Sequence, residues 1–219
     1  MELVPIKTED EINREIAAKI AAAMPYFQCV LNFGELLDIT THEILLTLSN
    51  LNPHLRFETD RNHNLLITMP TKFNTGKANA KLTMEVGIWN KEHELGEVTD
   101  SNTGFVMPVT HSIYAPDVAF ILHSKLEQLD TTSGIPVVAP DFVIELRSDS
   151  DRLKNIVAKM EEYIENGVRL GWLIDPQTEN VHIYRLNGNH TKQTFDEKLS
   201  GEDVLPKFEL NLRGIFKKK

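Results

Sequence analysis

The hydrophobic pattern changes period several times along the chain, and each change marks an element. Thr8-Glu-Asp-Glu11 reads as a capping box. Ile12, Ile16 and Ile20 then recur every fourth residue as far as Met24-Pro25, which predicts a short amphipathic helix. Cys29–Leu37 is mixed and favours no element. Thr40 or Thr41 can cap a helix through Ser49, stopped by Asn52-Pro53. Leu55–Thr59 and Leu65–Met69 read as a hairpin across the polar segment DRNHN. Residues 75–93 place Leu82, Val86 and Trp89 on one helical face. Glu97–Asp100 and Gly104–Pro108 suggest a second hairpin around Asn102-Thr103. Pro116 introduces a strand, DVAFIL, and Ser124–Leu129 a short helix.

The stretch Ala139–Asn166, APDFVIELRSDSDRLKNIVAKMEEYIEN, organises the rest. Asp141–Leu146 is short, β-branched and apolar, which suits a buried strand. Ser148, Asp149, Ser150 and Asp151 offer N-caps for the helix that follows. Leu153, Ile156, Val157, Met160 and Ile164 share one face of it, and Gly167 suits its C-terminal stop. Arg169–Ile174 and Val181–Arg185 then read as paired strands turned by Asp175-Pro176. Helices, hairpins, and then strands with an inserted helix predict one α/β or α+β domain on a mixed sheet. Residues 1–39 form an N-terminal helical extension in this reading, and residues 40–219 the domain.

Composition narrows the class. The chain has 219 residues, 41% hydrophobic and 25% charged, as soluble globular domains do. It contains no apolar run of bilayer-spanning length, no signal-peptide pattern and a single cysteine, Cys29. These features predict a cytoplasmic protein with no membrane segment. The formal charge of −9 argues against a chain-wide nucleic-acid footprint but leaves room for a local groove. A site that gathers carboxylates around a cation also contributes negative charge.

One residue breaks the apolar pattern of the central strand. Glu145 is expensive to bury unless it is paired, protonated or bound to a metal. Asp117 opens another predicted strand 28 residues earlier. If the two strands are neighbours, their carboxylates converge. Two carboxylates completed by waters and a substrate phosphate are a common way to hold Mg²⁺. Asp141 shares strand parity with Glu145, but four residues along one strand span about 13 Å, too far to share a small ion. The eight histidines show no zinc-site spacing, and Gly76-Lys77 lacks the rest of a P-loop.

Pro116-Asp117 followed by Glu145-Leu146-Arg147 resembles the PD-(D/E)xK nuclease pattern, with arginine in the lysine place. SNTGFVMP, APDVAFI, APDFVIELRSDSDRL, KMEEYIENGVRLGWLIDP and LSGEDVLPKFEL together resemble the Uma-two family of restriction-endonuclease-like proteins, over roughly residues 40–212. The resemblance implies a restriction-endonuclease-like mixed sheet flanked by helices. It also implies a Mg²⁺- or Mn²⁺-dependent endonuclease site acting on nucleic acid, DNA first. Asp117 and Glu145 would bind metal, and Glu85, mid-helix, is a further metal candidate. The alternative is a catalytically silent nuclease-fold module for binding or assembly. A homodimer is expected from the N-terminal helix and the nuclease-like architecture.

The cation has two candidates. Arg147, two residues after Glu145, shares its sheet face but cannot give up a proton as lysine can. Lys159 sits on the shoulder of the helical apolar face, where its stem packs and its ammonium can reach a cleft. The KMEEY text resembles nuclease-like proteins whose lysine has moved onto this helix, which favours Lys159. Glu58 and Glu35 are weaker acid candidates, and Tyr163 is expected mainly to pack.

Overall fold

The computed structural model describes residues 29–32, 41–53, 55–68, 70–130 and 134–216. The helix expected before Met24, Glu35 and the basic end Lys217–Lys219 lie outside the described residues. In chain order, the first part runs β1 (Cys29–Asn32), α1 (Thr41–Leu51), β2 (Arg56–Thr59), β3 (Asn64–Thr68), α2 (Phe73–His93), β4 (Gly96–Asp100), β5 (Phe105–Val106) and β6 (Ile113–Tyr114). There follow β7 (Val118–Leu122), α3 (His123–Leu126), β8 (Phe142–Leu146), α4 (Leu153–Glu165), β9 (Leu170–Asp175), β10 (Asn180–Arg185) and β11 (His190–Thr194). Two short strands, β12 (Lys198–Ser200) and β13 (Glu209–Asn211), and a helical turn, α5 (Leu212–Ile215), complete it.

The central sheet has the order β11-β10-β9-β8-β7-β4. Its β8–β9 pair is parallel, joined by α4 as the crossover helix, and its other pairs are antiparallel. A smaller antiparallel sheet has the order β1-β3-β2-β6-β5. This is the mixed sheet with flanking helices that the pattern predicted. Among the described residues no helix is long and apolar enough to cross a membrane.

Strand alternation sorts side chains into two layers. Phe142, Ile144 and Leu146 of β8 pack with Leu82, Val86 and Trp89 of α2, the inward face expected from sequence. Val143, between them, packs with Met160 and Tyr163 of α4. Glu145 has the parity of Val143, so it must face α4. The approach of α4 to the sheet is close. A Cβ on Gly171 of β9 would lie 2.6 Å from the Met160 methyl carbon, so the strand carries glycine there.

Two local expectations are corrected. Glu97–Asp100 and Gly104–Pro108 do not form a hairpin: β4 pairs with β7 in the central sheet, and β5 pairs with β6 in the smaller one. The turn itself is local, since the Asp100 side chain accepts the Asn102 N–H at 3.0 Å. Phe105 and Val106, both buried, are placed by two different apolar clusters, and that burial outweighs local pairing. The Ser148–Asp151 segment does not cap α4 either. Arg152 occupies the cap position with no side-chain cap bond, while the Asp151 carboxylate accepts the Ser148 N–H at 2.7 Å. Gly167, at φ +99°, does end the helix in the left-handed region that suits glycine.

Candidate active site

The register Val118↔Ile144 between β7 and β8 sets Asp117 beside Glu145, one residue outside the last paired position. Both have the parity of the α4 side. Asp117 precedes β7, so its carboxylate lies at the end of the sheet and reaches both layers. Its Oδ2 accepts the Leu146 N–H at 2.8 Å, and its Oδ1 accepts Asn79 Nδ2 of α2 at 3.1 Å. Burial raises the Asp117 pKa, opposed by the Leu146 N–H and by the charges of Lys159 and Arg56.

Glu145 is 8% exposed. Its Oε1 accepts the Tyr163 hydroxyl at 2.8 Å and meets Lys159 Nζ at 2.8 Å. Burial pushes its carboxyl up to about 7, with Lys159 pulling down and Asp117 and Glu58 pushing further up. Lys159 projects from α4 with its ammonium 3.0 Å from Glu58 Oε1 and 5.0 Å above the Tyr114 ring. Burial alone would lower its pKa, but the two carboxylates outweigh that and hold it above the usual lysine value. Tyr114 is itself oriented, donating its hydroxyl to Glu162 Oε2 at 2.9 Å.

Asp117, Glu145 and Lys159 therefore converge, from β7, β8 and α4. Two expected residues stand elsewhere. Arg147 has Nη1 2.9 Å from Asp175 Oδ2, so its charge is committed to the end of the neighbouring strand β9. Among the described contacts none links Glu85 to Asp117 or Glu145. The α2 residue at the site is Asn79, six positions and about 9 Å earlier along the helix. Asp141 sits at the far end of β8, fully buried, accepting the Leu122 N–H at 3.0 Å and paired with Lys125 at 3.1 Å.

Glu58 and Asn79 are the residues that sequence reasoning undervalued or missed. Glu58 sits among Phe57 and Thr59 on an ordinary strand, and its partners Ala115 and Lys159 lie far along the chain. Asn79 follows the core residue Ala78 on α2 and looks like any polar helix position.

The donor set is all oxygen. Asp117 and Glu145 stand opposite each other in the β7–β8 register, and the Oδ1 of Asn79, whose amide nitrogen bonds Asp117, is buried with no hydrogen-bond partner among the described residues. Tyr163 and Lys159 both meet Glu145 on Oε1. Glu145 and Glu58 share the Lys159 ammonium and Asp117 stands next to Glu145, an oxygen-only, acid-rich setting that suits a small hard cation better than a soft one. Among the described residues no three His, Cys, Asp or Glu side chains form a ready-made metal cage. The protein's share would thus be two carboxylates, with waters and substrate oxygens as the remaining ligands. A cleft of about 430 Å³ is lined by Arg56, Thr71, Asn79, Thr83, Asp100 and Ser101, and Asn79 links it to Asp117.

A family model described as "Uma2: Putative restriction endonuclease" matches residues 42–213. No curated protein sequence matches the chain. A crystal structure from Anabaena variabilis ATCC 29413, described as "a putative nuclease belonging to DUF820", is similar at a TM-score of 0.63 and 16% identity. The match covers 74% of this chain and 89% of that one. At that identity the likeness speaks for the fold alone.

Proposed function

Because this chain belongs to the Uma2 family of restriction-endonuclease-like proteins, we propose that it hydrolyses phosphodiester bonds in nucleic acid, DNA first, with Mg²⁺ or Mn²⁺. The observation that carries this reading is the meeting of Asp117, Glu145 and Lys159 at one end of the central sheet. A divalent cation, when bound, lowers the pKa of a coordinated water and neutralises charge on the phosphate. Asp117 and Glu145 would hold it. The Tyr163 hydroxyl and the Leu146 N–H orient those two carboxylates before any ligand arrives. Lys159, flanked by two carboxylates, keeps its proton and supplies positive charge to the phosphate rather than a base. Arg147 secures the end of β8 through Asp175 and leaves the phosphate to Lys159.

The test is nicking of supercoiled DNA with Mg²⁺ or Mn²⁺. Lys159→Met keeps an apolar stem but removes the ammonium, and should cost about 100-fold or more in rate. Asp117→Asn and Glu145→Gln should abolish cleavage. Absence of cleavage by the wild-type protein on both DNA and RNA refutes the reading and leaves a nuclease-fold binding module in its place.

A further inference from the structure

We infer that Glu58, on the smaller sheet, is a positioning residue for the site: one of its carboxylate oxygens holds both the Lys159 ammonium and the backbone leading into Asp117. The inference rests on the nuclease reading above and assigns that site a part built from the second sheet. Glu58 Oε1 accepts the Ala115 N–H at 2.7 Å and Lys159 Nζ at 3.0 Å. The Glu58 side chain is 13% exposed and that of Lys159 16%, so little water is available to replace either contact.

The location of the bond gives it leverage. The chain crosses from β6 in the smaller sheet to β7 in the central sheet over three residues, Ala115, Pro116 and Asp117. Pro116 has no N–H. The Ala115 N–H is therefore the last main-chain donor before Asp117 itself, and Glu58 takes it. The next residue of β2, Thr59, accepts the Ile113 N–H through Oγ1 at 3.0 Å. Two adjacent side chains of one short strand thus hold the first residue of β6 and the first residue of the crossover. The β2–β6 pairing is a single residue pair, Thr59↔Ile113, so these side-chain bonds supply much of the connection there.

Lys159 is held from both sides by this arrangement. Glu145 Oε1 meets it at 2.8 Å from the central sheet and Glu58 Oε1 at 3.0 Å from the smaller one. Without Glu58 the ammonium would retain one carboxylate and could collapse onto Glu145, away from the place where a phosphate would sit. Misplacing a reacting or stabilising group by about 1 Å typically costs on the order of 100-fold in rate.

Two substitutions separate the two contacts. Glu58→Ala removes both. Glu58→Gln keeps an oxygen for the Ala115 N–H but no longer carries a charge for Lys159. The experiment measures hydrogen exchange at the Ala115 amide, together with kcat and KM for DNA cleavage, on the full chain. Glu58→Ala should speed exchange at Ala115 and lower kcat about 100-fold. Glu58→Gln should keep Ala115 protected as in wild type yet still lower kcat tenfold or more, roughly, with KM changed less than about threefold. A purely structural role predicts instead that glutamine restores kcat along with amide protection, and that result overturns the inference. Unchanged exchange in Glu58→Ala overturns it as well, whether or not the protein cleaves DNA. An inactive wild type overturns the nuclease reading, and with it the kinetic half of the inference.

Discussion

Glu145 should make the protein lose stability as pH rises from about 4.5 to about 7. Its carboxyl titrates near 4.5 in the unfolded chain and at about 7 in the folded one, because burial disfavours the charged form. Below the unfolded value both states carry the proton, and the buried neutral acid is fully tolerated. Between the two values the unfolded chain releases its proton while the folded protein keeps it, so unfolding gains. Above about 7 both are ionised and the loss levels off. The gap, at about 1.36 kcal/mol per pH unit, amounts to about 3 kcal/mol. The groups facing Glu145 are Lys159 and Tyr163 from α4, Asp117 from β7 and Glu58 from β2. Asp117, also raised by burial, adds a slope of the same sign. His182, lowered mainly by burial, adds one of opposite sign far from the site. A difference measurement removes the His182 contribution and leaves that of Glu145 with its coupling to Asp117. Urea unfolding of wild type and Glu145→Gln, in chelator, should be compared from pH 4 to 8.5 or so. Glutamine keeps an oxygen for Tyr163 and Lys159 but cannot ionise. The stability of wild type relative to the variant should fall by about 3 kcal/mol between the two titration points. A flat difference curve, or one that rises, refutes the claim that burial governs this carboxyl.

Two further outcomes test the surroundings. Mn²⁺ at about 100 times its dissociation constant should stabilise the wild-type protein by about 2.7 kcal/mol, and Asp117→Asn should lose that increment, as read by thermal melting and calorimetry. Equal stabilisation of both proteins would place the cation elsewhere. Arg147→Met should lower stability by about 3 kcal/mol, because Asp175 is fully buried and would lose its counter-charge, while Mn²⁺ affinity stays unchanged. A neutral effect on unfolding in urea would show that the Gln177 N–H and Thr178 hydroxyl suffice for Asp175.

What could be read from the sequence followed from local periodicity. The apolar face of α2, the strand–helix–strand unit around β8 and its glycine stop all came from patterns within one element. The Asp117–Glu145 proximity needed one further step, that β7 and β8 are neighbours, and no property of either segment alone supplies it. The partner of β4 is hidden from the sequence for a related reason. The turn after Asp100 is visible in its residues, but the choice of partner strand depends on where Phe105 and Val106 find apolar company. Glu58 was harder still. Its contact with Lys159 spans 101 residues, and an acid on a half-buried strand has no sequence mark that separates a solvated side chain from a site residue. Glu85 is attractive for its position among core residues, yet the α2 residue that meets Asp117 is Asn79, six positions earlier on the helix.

The arginine at the motif position can be understood from the parallel pair β8–β9. The register Leu146↔Ile174 runs on to bring Arg147 beside Asp175. Asp175 is needed there: its carboxylate also accepts the Gln177 N–H and the Thr178 hydroxyl, closing the turn into β10. A buried carboxylate at that place requires a permanent, planar cation, which arginine supplies and lysine supplies less well. Once Arg147 is bound to Asp175, positive charge must reach Glu145 from another element. The helix α4 covers the same face of the sheet, and Lys159 lies one turn before Tyr163, which already touches Glu145. A lysine at this position can therefore reach the same carboxylate oxygen as the tyrosine while its ammonium lies 5.0 Å and 5.7 Å from the centres of the Tyr114 and Tyr163 rings. The strand end and the site cation thereby become separate tasks held by separate residues, and a defect in one need not disable the other.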